Sequence, residues 1–413
     1  MAPRWLRRLL GHPVEPIVYL HVGASKTGTT YLQDLMAKNR RHLHDAGCLL
    51  PGDARLAQVN GVLQAMAVLR NPESDLATRA PRWMALVREA MEFSGRCSVI
   101  SSEYLSFLDE ERAARLLETL AGAEVHVILT VRDAKSTLPG QWQTSIRNGG
   151  VLTFDRYQRG LSRSLRVRVA ELPSRKPQRL FQRAQGVPRM LDVWLPLVGP
   201  KALHVVTVPP SGSDPGALWN RFAKVLHVRP SVCTEAPNRS NVSLGYPSVE
   251  FLRRVNLHLT DMSKKDYFKL VRGFLSRSVL EKRAGVERRA ALDQRGMRRT
   301  ARWNAAIRRA IEERELRVVG SLDDLVTTPA PAPKSIPPPT NAELLVAATS
   351  CRLGLERLRD HLAAGNDSQQ LTLTAADILA DAVAEPDDEV DDKVIDEAAH
   401  DVAQLVLECA ALL

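Results

Sequence analysis

The stretch IVYLHVGASKTGTTYLQDLM, Ile17 to Met36, constrains the fold of this chain more than any other, because it joins an apolar strand to a helix through a glycine-rich turn. Ile17, Val18, Tyr19, Leu20 and Val22 form a short run suited to the centre of a parallel sheet. Gly23 and Gly28 permit a tight backbone that aims amides at an anion. Thr29 and Thr30 then begin a helix whose first N–H groups lack intrahelical partners and whose dipole is positive at that end. The predicted local structure is a phosphate cradle in which Lys26 and the two hydroxyls add to the backbone donors. A Gly-Thr turn without a ligand is the plainer reading, and the strand and helix on either side weigh against it.

The position of the lysine separates this loop from the nucleotide-triphosphate pattern G-x-x-x-x-G-K-[ST], in which lysine follows the second glycine. Gly23 and Gly28 keep the glycine spacing, but the lysine lies inside the loop at Lys26 and Thr29 follows Gly28. This arrangement, KTGTT, resembles the 5′-phosphosulfate loop of sulfotransferases that use 3′-phosphoadenosine 5′-phosphosulfate (PAPS). The resemblance implies that Gly23, Ser25, Lys26, Thr27, Gly28, Thr29 and Thr30 line the 5′ end of the donor without a metal. It also implies that Lys26 contacts the phosphosulfate and steadies charge on the leaving phosphate. Ser25 stands where that family often has proline, which leaves the loop less rigid but removes no ligand.

A second phosphate site is expected at the end of another apolar run, Val125 to Val131, which is followed by RDAKSTLPGQWQTSIRNG. An arginine at a strand terminus can hold a phosphate through two parallel hydrogen bonds, and the resemblance assigns the 3′-phosphate to Arg132. A salt bridge with Asp133 or a helix cap is the plainer role for it. The family often has serine eight residues later, where this chain has Gly140; Ser136 and Thr137 are the nearby hydroxyls, and Ser136 is taken as the substitute ligand. Pro139 and Trp142 are read as setting the start and packing of the next helix.

Between these elements CSVISSEYLSF, Cys97 to Phe107, reads as a β-branched strand ending in Ser101, Ser102 and Glu103. Ligands collect at such ends in an open α/β sheet. Carbohydrate sulfotransferases commonly use a glutamate as base, and Glu103 fits that pattern; partial burial would raise its pKa toward the working range. The alternative is that Glu103 caps a helix beginning near Tyr104. QRGMRRTARW, Gln294 to Trp303, loosely resembles the basic loop that closes over the 3′-phosphate, but solvated helix charge explains Arg295, Arg298 and Arg299 better.

The rest of the chain fits an α/β fold: a P-loop-type three-layer sandwich with a central parallel sheet and a small C-terminal all-helical appendage. Lys201–Pro210 and Arg317–Leu325 read as further strands, and Leu218–Val228 and Ser248–Leu259 as amphipathic helices. Residues 341–413 hold 16 acidic and 4 basic residues, leaving a net +22 on residues 1–340 of a chain whose overall charge is +10. TTPAPAPKSIPPPT, Thr327 to Thr340, reads as a proline-rich linker between these opposite fields. The expected organisation is a basic segment over 1–14, a sulfotransferase-like domain over 15–326, a linker over 327–340 and an acidic helical module over 341–413. That module would dock on the basic body, bind a protein partner or keep the chain soluble.

Five scattered cysteines favour reduced thiols and a cytoplasmic setting, and no histidine or cysteine cluster has metal-ligand spacing. MAPRWLRRLLGHP lacks the features of a secretion signal. Trp5, Leu6, Leu9 and Leu10 offer at most a weak membrane face. Ten basic residues against Asp155 and Glu171 between Val151 and Met190 would attract a polyanionic donor and an anionic acceptor, such as a glycan or lipid headgroup. Few aromatics interrupt these stretches, which argues against nucleic acid. The leading expectation is therefore metal-independent sulfuryl transfer from PAPS to a hydroxyl acceptor. A kinase-like phosphotransferase and a degenerate, non-catalytic nucleotide- or partner-binding protein are the alternatives.

Overall fold

A computed structural model of the chain describes residues 15–53, 55–164, 176–237, 242–368, 370–379 and 390–413. The basic N-terminal segment and residues 165–175 of the arginine-rich stretch lie outside the described residues. The fold is mixed α/β around a six-stranded, all-parallel sheet flanked by helices. Its strands are β1 (Ile17–Gly23), β2 (Cys48–Leu49), β3 (Cys97–Ser101), β4 (Glu124–Val131), β5 (Leu203–Thr207) and β6 (Val318–Val319), in the order β2-β3-β1-β4-β5-β6.

The apolar run before the glycine turn explains the central place of β1. Val18, Leu20 and Val22 are fully buried, and side chains on both faces of this strand need cover. Residue His21 pairs in register with Ser101 of β3, and Gly23 with Leu129 of β4. Because all strands run the same way, the C-terminal ends of β1, β3 and β4 share one edge of the sheet. One face of the sheet packs Tyr19 and Ile128 against Leu32, Met36, Trp219 and Phe222.

The helices that matter below are α1 (Thr29–Lys38), α2 (Ala134–Arg147), α3 (Lys176–Gln185), α4 (Val187–Val198), α5 (Tyr246–Asn256), α6 (Gln294–Glu312), α7 (Asn341–Ala363) and α8 (Asp392–Ala411). Two compact units emerge from the packing of the described residues: those within 1–137, 163–241 and 298–329 form the first, and those within 138–162, 242–297 and 330–413 the second. The first contains the whole sheet. Inside the second, α7 starts at a capping box in which Thr340 and Glu343 satisfy each other's backbone N–H groups. Arg254 of α5 pairs with Asp392 and Asp396 of α8, and the buried Arg283–Glu287 pair is completed by Ser248 and Ser350.

Several local expectations are corrected. Helix α2 begins at Ala134, not at Pro139, because Asp133 caps it through the Lys135 N–H at 2.9 Å; Pro139 lies inside the helix. Trp142 does pack as expected, with its ring against Phe154 and Tyr246 and its Nε1 donating to the Leu152 carbonyl. The final strand shrinks to Val318–Val319, since Ser321 caps a short 3₁₀ turn at Leu322–Asp324. A two-residue strand, β2, escaped the sequence reading.

Candidate functional site

The turn after β1 is built from unusual backbone. Gly23 and Gly28 have φ of +98° and +83°, and Lys26 also sits in the left-handed region at +63°. Glycine at position 28 is required twice, by its φ and because a Cβ there would run into the Leu218 side chain. Gly28 is the N-cap of α1, whose first intrahelical bond runs from the Leu32 N–H to the Gly28 carbonyl at 3.0 Å. The amides of Thr29, Thr30 and Tyr31 therefore precede the hydrogen-bonded ladder and form the donor end of the helix.

Neighbouring segments hold this turn from two sides. The Ala24 N–H donates to Thr130 of β4 at 2.8 Å, and the Ser25 N–H to Ala184 of α3 at 3.0 Å. The Gln185 amide donates to the Ser25 carbonyl. Thr27 is buried rather than presented outward: its hydroxyl bonds the Ala24 carbonyl and the Thr130 hydroxyl. Thr130 also meets His21 Nε2 at 3.2 Å, while His21 Nδ1 lies 2.8 Å from Ser101 Oγ, which in turn accepts from Gln33. This polar chain joins the ends of β1, β3 and β4 beneath the turn. Complete burial pushes the His21 pKa down to about 3, so the ring is neutral at ordinary pH.

Glu103 stands beside the same turn. It opens a short 3₁₀ segment, Glu103–Phe107, that follows β3, and is half-buried. Its carboxylate accepts from the Thr29 hydroxyl at 2.6 Å, a bond across to the first residue of α1 instead of a cap on its own turn. A Cβ on Gly23 would meet Glu103 Cβ at an ordinary 3.5 Å contact, so glycine is favoured there by its positive φ and not by lack of space. Lys26 is exposed at the mouth of the turn.

Arg132 extends from the end of β4, and its guanidinium donates to the Lys26 carbonyl at 3.5 Å. Burial draws its pKa below the usual arginine value, with Asp133 acting the other way. The segment after it is fixed by Asn304 of α6, whose amide oxygen accepts from the Ala134 N–H at 2.9 Å and whose nitrogen donates to Asp133 at 2.8 Å. Asp133 is thus occupied as a cap and as a partner of Asn304. Ser136 is exposed on the first turn of α2, whereas Thr137 is buried and bonds back to the Ala134 carbonyl. Arg295 and Arg298 are exposed and Arg299 half-buried on α6; Trp303 packs against Phe181.

The structure thus brings Gly23–Thr30, Glu103 and Arg132 to one edge of the sheet. Asn304, Ala184, Gln185 and the His21–Thr130 chain support them and were not singled out from the sequence. A histidine inside an apolar strand was the one local signal; the others lie far away in the chain. No group of three or more His, Cys, Asp or Glu among the described residues is arranged to hold a metal ion, and no helix among them is long and apolar enough to cross a membrane.

No family model and no curated protein matches the chain. Among solved structures, a crystal structure of a sulfotransferase from Alicyclobacillus acidocaldarius matches over 63% of this chain and 96% of that one, at 14% identity and a TM-score of 0.36. A likeness at that level leaves the site to be argued from its own residues.

Proposed function

We propose that the chain is a sulfotransferase that moves a sulfuryl group from PAPS to a hydroxyl acceptor, in a cytoplasmic setting. What supports the reading most is the 2.6 Å hydrogen bond from Thr29 to Glu103, which ties a half-buried carboxylate to the first residue of a phosphate-binding helix. The residues fit the donor: left-handed glycines, helix-start amides, an exposed lysine and a strand-end arginine are the groups that two separated phosphates require.

The donor supplies an activated sulfur whose bond to the 5′-phosphate oxygen breaks as the acceptor oxygen bonds to it. The amides at the start of α1 and Lys26 hold the 5′ end and stabilise the charge that builds on the departing phosphate. Arg132 holds the 3′-phosphate. Glu103 takes the proton of the acceptor hydroxyl, and Thr29 fixes the carboxylate for that task. Residues 15–326 carry the activity in this reading, with 341–413 as an acidic helical module joined through the proline-rich linker.

Calorimetric titration with adenosine 3′,5′-bisphosphate without magnesium, beside ADP and magnesium-ATP, tests the reading. Micromolar binding that requires the 3′-phosphate is expected. Preference for magnesium-ATP would replace it with a kinase-like activity. Nucleotide binding with no product across many hydroxyl acceptors would replace it with a non-catalytic role.

A further inference from the structure

An arginine cluster lies along the turn that follows Glu103, and no part of the donor site uses it. Arg179 and Arg183 are four residues apart on α3 and so share one face of that helix. The C-terminal end of the same helix bonds the phosphate turn through Ala184 and Gln185, which puts Arg179 about 7.5 Å along the axis from the residue that touches Ser25. Arg189 of α4 is buried and donates to the carbonyls of Ser106 and Leu108, the far end of the turn that begins with Glu103.

Charge in this cluster is poorly balanced. Arg183 lies within electrostatic reach of Arg179, Arg112 and Arg189, and among the described residues the carboxylates that face the group are Asp109 and Asp192. Both are already shared: Asp109 caps its helix through the Arg112 N–H and pairs with the Arg112 guanidinium at 3.3 Å, and Asp192 binds Arg314 at 2.5 Å. The buried Nε atoms of Arg183 and Arg189 have no hydrogen-bond partner among the described residues. Four guanidinium groups of one sign, partly removed from water, are favoured by an incoming anion through both Coulomb attraction and paired hydrogen bonds.

We infer that Arg112, Arg179 and Arg183 bind a carboxylate or sulfate group carried by the hydroxyl acceptor, so that the acceptor is itself an anion. This rests on the proposed function, since it places the acceptor beside Glu103. Arg189 is a positioning residue: it holds the turn between the base and the cluster.

The test is calorimetric titration of the full-length protein, with and without adenosine 3′,5′-bisphosphate, using a uronic-acid tetrasaccharide and the same saccharide with its carboxyls reduced to alcohols. At low ionic strength the charged form should bind at least about tenfold more tightly. Replacing both arginines, Arg179→Gln with Arg183→Gln, should abolish that ratio while nucleotide affinity stays unchanged. Arg112→Gln, a change on a partly exposed side chain, should reduce the ratio and gives the same reading if the double variant does not fold. Equal binding of the two saccharides, binding of neither, or a ratio that survives these substitutions would overturn the inference. Failure of the nucleotide alone to bind would sink the proposed function, while the saccharide titration without nucleotide would still read the cluster.

Discussion

Two strand ends on the same sheet edge, those of β1 and β4, are built in opposite ways. The β1 end is a locked turn: Ala24, Ser25 and Thr27 are each bonded to β4 or α3, and two glycines are fixed in left-handed backbone. The β4 end presents a long side chain, Arg132, whose bond to the Lys26 carbonyl is stretched to 3.5 Å, above a segment steadied by Asn304. Under the proposed function the difference separates two tasks. A cradle for charge that changes during reaction gains from donors that need no reorganisation, whereas an anchor for a phosphate that does not react needs only reach and charge.

The largest expected effect tests the first half of that contrast. Lys26→Ala should lower sulfuryl transfer by roughly 10²–10³-fold, the scale of one donor lost from a preorganised charge site. Folding stability should move by no more than about 0.5 kcal/mol, because the side chain is exposed and alanine inherits the same φ. Single-turnover rates with saturating donor, set beside thermal unfolding, separate the two. Arg132→Ala comes next. It should weaken adenosine 3′,5′-bisphosphate by about 10–100-fold, in line with roughly 1.5–3 kcal/mol for a charged hydrogen bond, and abolish the preference over the nucleotide lacking the 3′-phosphate. If Arg132→Ala instead slowed transfer as much as Lys26→Ala at unchanged affinity, the division between cradle and anchor would fail.

The polar chain beneath the two ends makes a third, smaller prediction. His21 titrates at about 3 when folded against about 6.5 for a free histidine, so the unfolded chain binds more protons between those values. Stability is then full above pH 6.5 and falls as pH drops toward 3, with a limiting slope of about 1.4 kcal/mol per pH unit from this group. His204, lowered to about 4 by burial and by His126, adds to the fall in the same window. Urea unfolding of His21→Gln across that range should show a flatter profile than the native chain, whatever its absolute stability. An unchanged slope would mean that the ring does not stay neutral when buried beneath the turn.

How much of this was legible in the sequence follows from distance along the chain. The β1 strand, the turn and α1 were readable because period, glycine spacing and helix start lie within twenty consecutive residues, Ile17 to Met36. The sheet strands Leu203–Thr207 and Glu124–Val131 were readable for the same local reason. Pairing was not: Cys48–Leu49 is too short to announce a strand and exists because Cys97–Ser98 offers it a parallel partner. Pro139 misled the start of α2: proline favours a first turn, but here it lies inside a helix already begun by the Asp133 cap and gives up one intrahelical N–H. Asn304 lies 171 residues from the Asp133 it binds, and no local pattern marks an asparagine as the support of a distant strand end. The same holds for the Thr29–Glu103 bond, which only the parallel register of β1 and β3 creates.

Ser25 gives the smallest and most discriminating test of the locked turn. Proline at this position would stiffen the loop and, where its φ is compatible, stabilise by about 0.4–1 kcal/mol through the unfolded chain. Here the Ser25 N–H is the donor to the Ala184 carbonyl at 3.0 Å, and proline removes it. Losing that hydrogen bond costs about 0.5–1.5 kcal/mol, so Ser25→Pro should fall between a gain of at most about 0.5 kcal/mol and a loss of about 1 kcal/mol. Gln185→Ala, which removes the second tie between α3 and Ser25, should lose a similar amount in the native chain. In the Ser25→Pro background it should cost less, because α3 is then already loosened from the turn. Equilibrium unfolding of the two single variants and the double variant measures that coupling. Full additivity, or a clear gain in stability from proline, would mean that the turn is stiff by itself and that α3 only lies beside it.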